Sequence, residues 1–147
     1  AMILIQFIVS LIATLSFAVL FHAPRKELFF CGLTGAVGWI VYIICMNHKM
    51  GVATASLLAT FVLTILSRIL SVVRKNPVTM FLIPGIFPLV PGAGIYYTAY
   101  YLIMNEMKSF SQKGTETFLI AGAIALGIVF GFAIPQAVFH ALGKKKR

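Results

Sequence analysis

The chain contains no aspartate and only three glutamates, Glu27, Glu106 and Glu116, among 147 residues. All three fall in short polar segments between apolar runs. Carboxylates inside a membrane span are the usual carriers of proton relays. A proton-driven process would therefore need its main carrier from elsewhere, or from Glu106 at a helix end. No nucleophile–base–acid set is visible either, so an enzyme is not expected. Cysteine is nearly as scarce. Cys31 and Cys45 lie in one expected helix, roughly 21 Å apart at about 1.5 Å per residue, which is too far for a disulfide. They read as small buried apolar residues. His22, His48 and His140 sit at different helix ends without ligand spacing, so no metal site and no cofactor is expected.

Apolar residues are abundant: 61% of the chain is hydrophobic and 10% charged. A soluble domain of this length could not bury so much apolar surface. The apolar residues form long runs of the kind that cross bilayers, rather than the alternation of half-buried elements. The expected class is all-α, a polytopic transmembrane bundle forming a single domain in the lipid bilayer. The spans are expected at about 2–21, 28–46, 52–73, 78–104 and 118–142, with a basic tail at 143–147. The first run lacks a basic leader and a small-residue cleavage site, and is expected to be a retained helix. The segment "NEMKSFSQKGTET" is expected to be a polar connector.

The net charge of +9 would suggest nucleic acid in a soluble protein. Here the positive-inside rule accounts for it and no nucleic acid partner is expected. Arg25, Lys26, Arg74, Lys75 and the four tail residues fall on one side, with Arg68 just inside, against Lys49, Lys108 and Lys113 on the other. This bias puts the carboxy terminus in the cytoplasm and the amino terminus outside. It also requires the fourth apolar region to cross the membrane.

That fourth region, "FLIPGIFPLVPGAGIYYTAYYLI", holds Pro84, Pro88 and Pro91 interleaved with Gly85, Gly92 and Gly94. Each proline removes a helical hydrogen bond, and glycine leaves the backbone bare. Irregular backbone at membrane depth survives only where protein buries it or where it lines a cavity, and broken helices of this kind form transporter sites. The second half-helix is expected to begin near Gly92 to Ile95, with its N–H groups available to a carboxylate. Tyr96, Tyr97 and Thr98 follow the break and either line a polar path or, with Tyr100 and Tyr101, form an interfacial aromatic belt. Arg68 either snorkels to the headgroups or faces the bundle as a counter-ion for a carboxylate. Pro135 is expected to kink the last span, Gln136 beside it to hydrogen-bond between helices, and Trp39 to pack in the core. Gly32, Gly35 and Gly38, and Gly127 with Gly131, form small-residue stripes for helix packing, either within the chain or against another subunit.

The segment "IPGIFPLVPGAGIYYTAYYLI", with the five-span plan and basic tail, resembles the threonine/serine exporter family, and most closely the small subunit of its two-component form. The resemblance implies an inner-membrane subunit of a secondary-active exporter of small carboxylate-bearing metabolites. Threonine and serine come first, with small dicarboxylates such as succinate as the alternative. It also implies a larger membrane partner and marks Pro84, Pro88, Pro91, Gly92, Gly94 and Tyr97 as motif positions. A non-transporting scaffold and a homo-oligomeric channel are the competing readings from other classes.

Overall fold

The computed structural model describes residues 2–144, without the side chains of Leu142 and Lys144; the end of the expected basic tail, 145–147, lies outside them. The described chain is helical throughout. Its helices are α1 (Met2–Leu20), α2 (Leu28–Asn47), α3 (Val52–Arg74), α4 (Val78–Ile86), α5 (Gly92–Ile103), α6 (Met107–Ala133) and α7 (Gln136–Lys144). Four of them, α1, α2, α3 and α6, are long and apolar enough to cross a membrane alone. A bent pair, α4 with its following 3₁₀ turn and then α5, supplies a fifth candidate crossing.

No glycine takes the left-handed position in the turns between helices. His22, Lys49, Lys75 and Asn105 take it within two residues of the ends of α1, α2, α3 and α5. In each case the next residue's N–H reaches back five positions, as Ala23 to the Ala18 carbonyl at 3.0 Å and Glu106 to that of Tyr101 at 2.9 Å. This covers carbonyls that a helix end would leave bare, which repays a non-glycine residue for a conformation costing about 1–2 kcal/mol. Short, tight connections result, and neighbouring helices run antiparallel.

The small-residue stripes are consumed inside the chain. A Cβ on Gly35 would collide with the Thr14 side chain of α1, and one on Gly32 would lie 2.8 Å from Leu15 Cγ. On α6, a Cβ on Gly127 would lie 2.7 Å from the Leu57 carbonyl of α3, and one on Gly131 would meet Thr64. Helix α3 is thus the hub, packed between α2 and α6, and its buried face is unusually polar: Ser56, Thr60, Thr64, Ser67 and Arg68. Three of the four hydroxyls turn back on their own helix. Thr60 donates to the Ser56 carbonyl, Thr64 to that of Thr60 and Ser67 to that of Leu63, at 2.7–2.8 Å. Their methyl and methylene groups are left to make the close contact with α6.

Two boundaries differ from the sequence expectation. The polar segment expected as a connector is helical from Met107, so α6 reaches well beyond the expected start near 118. Phe118, Leu119 and Gly122 stand beside Ala53, Thr54 and Leu57 at the start of α3. Residues 107–117 therefore extend past the start of α3, and α5 packs along them, with Gly94 against Thr117 and Thr98 against Gly114. Helix docking, not apolar content, makes this stretch regular. The second difference is one of degree: the kink expected at Pro135 is a full break, which divides the expected last span into α6 and α7.

Candidate functional site

The three prolines of the fourth region do not act alike. Pro84 sits inside α4, and the carbonyl it deprives of a partner, that of Met80, instead accepts the Cys31 thiol of α2 at 3.3 Å. The Pro84 carbonyl, deprived by Pro88, accepts the Phe87 N–H in a tightened turn. The Phe87 carbonyl, deprived by Pro91, accepts Val90 N–H at 3.2 Å. Each defect is repaired locally, so the chain stays wound as a 3₁₀ turn through Leu89. Phe87 stacks on Phe17 at 4.6 Å between ring centres, which holds that turn against α1.

The real break is confined to Val90 and Pro91. Pro91 has φ −78° and ψ 61°, the geometry of an inverse γ-turn, closed by Gly92 N–H to the Val90 carbonyl at 2.8 Å. The axis bends by 52° there, and α5 begins at Gly92, inside the range that the sequence indicates. Regular bonding resumes with Ile95 N–H to the Pro91 carbonyl at 3.0 Å. Between these points, the N–H groups of Ala93 and Gly94 and the carbonyls of Pro88 and Leu89 have no hydrogen-bond partner among the described residues. Two donors and two acceptors are thus offered within about one turn, at the positive end of a twelve-residue helix.

Around this turn the expected residues separate. Gly92 is exposed, and a Cβ on it would meet nothing within 4 Å. Gly94 is half-buried against Thr117. Pro84 and Gly85 lie buried deeper in the bundle, Gly85 beside Leu63 and Thr34. Tyr96 and Tyr97 point outward from α5 and form a ring cluster with Tyr100 and Tyr101 at 5.3–6.4 Å spacings. Thr98 faces α6, its hydroxyl proton already given to the Gly94 carbonyl. Val90, Pro91, Ile95, Phe110, Thr117 and Ile124 are among the walls of a cavity of about 620 Å³ between α5 and α6.

Arg68 belongs to a different place. It is 4% exposed and does not snorkel. Its Nη1 donates to the Gly131 carbonyl at 2.8 Å and to that of Ile134 at 2.7 Å, and Nη2 donates to Gln136 Oε1 at 2.6 Å. Gly131 lies four residues before Pro135, so its carbonyl is the one that proline orphans. The guanidinium thus caps α6 at its negative end, lies over the Phe139 ring at 4.2 Å and clasps α7 through Gln136. Its partners are all neutral.

Two further contacts went unread in the sequence. Glu27 is buried in the 3₁₀ turn before α2 and accepts a fork from Arg74 at the end of α3, Nε and Nη2 each at 3.0 Å. Trp39 donates its indole N–H to Gln6 of α1 at 2.8 Å and stacks on Tyr42. A charged residue beside a span end is common, and only the fold reveals that these two face each other.

The model of a family described as "Threonine/Serine exporter, ThrE" matches residues 6–134, which includes the bent pair and the Arg68–Gly131 contact. A relative from Haemophilus influenzae, described only as an uncharacterized protein, is 26% identical over 133 residues, or 88% of this chain. The chain spans 45% of that relative's length. No solved structure matches. A family match across all but the two ends of the described helices decides the assignment: the chain belongs to the threonine/serine exporter family of multi-pass membrane proteins.

Proposed function

We propose that the chain is one subunit of a secondary-active exporter for small carboxylate-bearing metabolites, threonine and serine first, and that the turn at residues 88–94 meets the substrate. The observation that carries this is the pairing of free groups at the break. The Ala93 and Gly94 N–H groups suit a carboxylate, and the Pro88 and Leu89 carbonyls, a few ångströms of backbone away, suit an ammonium. An α-amino acid carries both charges on one carbon. Of the three carboxylates, Glu27 is engaged by Arg74, Glu106 precedes α6, and Glu116, within α6 beside Thr117, lies 3.9 Å from Lys113. The carbonyls are the acceptors this reading assigns to the ammonium.

A larger membrane partner completes the path in this reading. Two facts support it: the chain spans under half of its relative, and α5, the helix after the break, buries none of its own residues. The basic end of the bundle, with Arg25, Lys26, Arg74 and Lys75, faces the cytoplasm and the amino terminus lies outside, in a bacterial inner membrane. The protein works by alternating access and performs no covalent chemistry.

Gly92→Leu tests the proposal. A side chain there has open space, so insertion and folding stay intact while the free N–H groups become obstructed. Cells loaded with labelled threonine are expected to export it with the wild-type chain and partner, and to lose export with the variant at equal membrane levels. Unchanged efflux would remove the turn from the path. Export by the partner alone would make this chain a scaffold, and conduction by this chain alone as a symmetric oligomer would make it a channel.

A further inference from the structure

A second cavity lies away from the broken helix. It is a cleft of about 790 Å³ between the end of α3 and α7, lined by Ser71, Val72, Lys75, Ala137, His140, Ala141 and Gly143. Val72 of α3 and Lys75, the left-handed residue that follows it, form one wall, and Ala137, His140 and Gly143 of α7 form the other. Gly143 brings the two helices together, since a Cβ there would lie 2.6 Å from Val72.

Lys75 is placed with care. Its left-handed backbone is fixed by Asn76 N–H to the Ser71 carbonyl at 3.1 Å, by the Ser71 hydroxyl to the Asn76 carbonyl, and by Asn76 Nδ2 to the Arg74 carbonyl at 3.0 Å. Among the described residues, the charges around the cleft are of one sign. Arg68, one turn deeper, spends its hydrogen bonds on neutral acceptors, and the acid described at this end of the bundle, Glu27, is already held by Arg74. Lys75 and His140 are exposed to the cleft, and a concave wall concentrates the field of a cation that has no carboxylate beside it among the described residues. The dipole of α3 opposes an anion at its end, but the Lys75 and Asn76 N–H groups already cover the Ser71 carbonyl.

We infer that this cleft is an anion-binding site, separate from the turn at residues 88–94, which holds one carboxylate or phosphate group between the Lys75 ammonium and the His140 imidazole. Its apolar floor of Val72, Ala137 and Ala141 takes the uncharged part of the ligand. Two sources supply such a group: a free small anion and the headgroup of an anionic phospholipid. The inference does not depend on the exporter reading, because binding is measured on this chain alone.

The test uses the full chain in lipid nanodiscs. In one arm the discs are pure phosphatidylcholine, and succinate and inorganic phosphate are titrated by calorimetry. In the other, native mass spectrometry compares retention of phosphatidylglycerol with that of phosphatidylcholine. At least one arm is expected to show binding by the wild type that falls tenfold or more in the Lys75→Gln, His140→Gln double variant and persists in Lys75→Arg. Circular dichroism and gel-filtration profiles identical to wild type establish that the double variant is folded. The succinate and phosphate arm identifies a solute site and the phospholipid arm a lipid site. Absence of binding in both arms, or equal binding by the double variant, overturns the inference.

Discussion

Replacing Arg68 with methionine isolates the contact that joins α3, α6 and α7. The substitution keeps most of the side-chain volume and removes three hydrogen bonds, two of them to backbone carbonyls at 2.7 and 2.8 Å. An acceptor left buried without a donor costs about 1–3 kcal/mol in soluble proteins, and polar contacts within membrane proteins average nearer 0.6 kcal/mol. Removing a buried charge returns part of this, because the guanidinium no longer has to be desolvated. The expected loss is about 2–4 kcal/mol by these figures. Pro135→Ala supplies the control. It restores an N–H that can reach the Gly131 carbonyl, so it should recover about 1 kcal/mol in the methionine background and contribute little in the wild type. Unfolding by SDS in mixed micelles, followed through Trp39, measures all four proteins. Trp39 suits this because it is the single tryptophan and lies on α2, away from the substituted sites. A loss below about 0.5 kcal/mol for Arg68→Met, or costs that simply add in the double variant, would refute the capping argument.

Other expectations concern the packing and the topology. Gly127→Ala forces a methyl against the Leu57 carbonyl and should destabilise by about 1–3 kcal/mol in the same unfolding assay, as overpacked sites do, with Gly122→Ala neutral because its Cβ position is open. Cys31→Ser keeps a donor for the Met80 carbonyl, whereas Cys31→Val removes it; the valine variant should be the less stable by about 0.5–1.5 kcal/mol. A reporter that fluoresces only in the cytoplasm, fused after Arg147, should be bright, and one at the α2–α3 turn dark; the opposite pattern would reverse the proposed orientation.

Much of this architecture is legible in the residues themselves. Apolar runs mark the spans, and the proline–glycine cluster marks a bend whose second half begins where α5 begins. What escapes is whatever depends on a partner in space. The stretch from Met107 to Glu116 is polar, and polarity between apolar runs reads as a loop. It contains good helix formers, however, and becomes helical because α5 lies along it. The left-handed turns at His22, Lys49, Lys75 and Asn105 carry no glycine to announce them. Arg68 invites snorkelling because a long side chain near a span end can usually reach water. Its actual role had a trace in the sequence, since Pro135 must orphan the carbonyl of Gly131 and a donor has to come from somewhere. Each proline of the fourth region costs a helical hydrogen bond, but repairs by Cys31, Phe87 and Val90, which no sequence pattern announces, confine the irregular backbone to Val90 and Pro91.

The dependence of α5 on α6 bears on how the chain is made. Helices α1 to α4 can pack as each emerges, because α4 has α2 and α3 waiting for it. Helix α5 rests on a segment that has not yet been synthesised when α5 leaves the ribosome. Its bare N–H groups and tyrosine-rich surface must then wait in the translocon or in lipid until residues 107–117 arrive. Residues 92–133 should accordingly insert as one hairpin, and a nascent chain that stalls just after Ile103 would present the quality-control proteases with an unsupported helix.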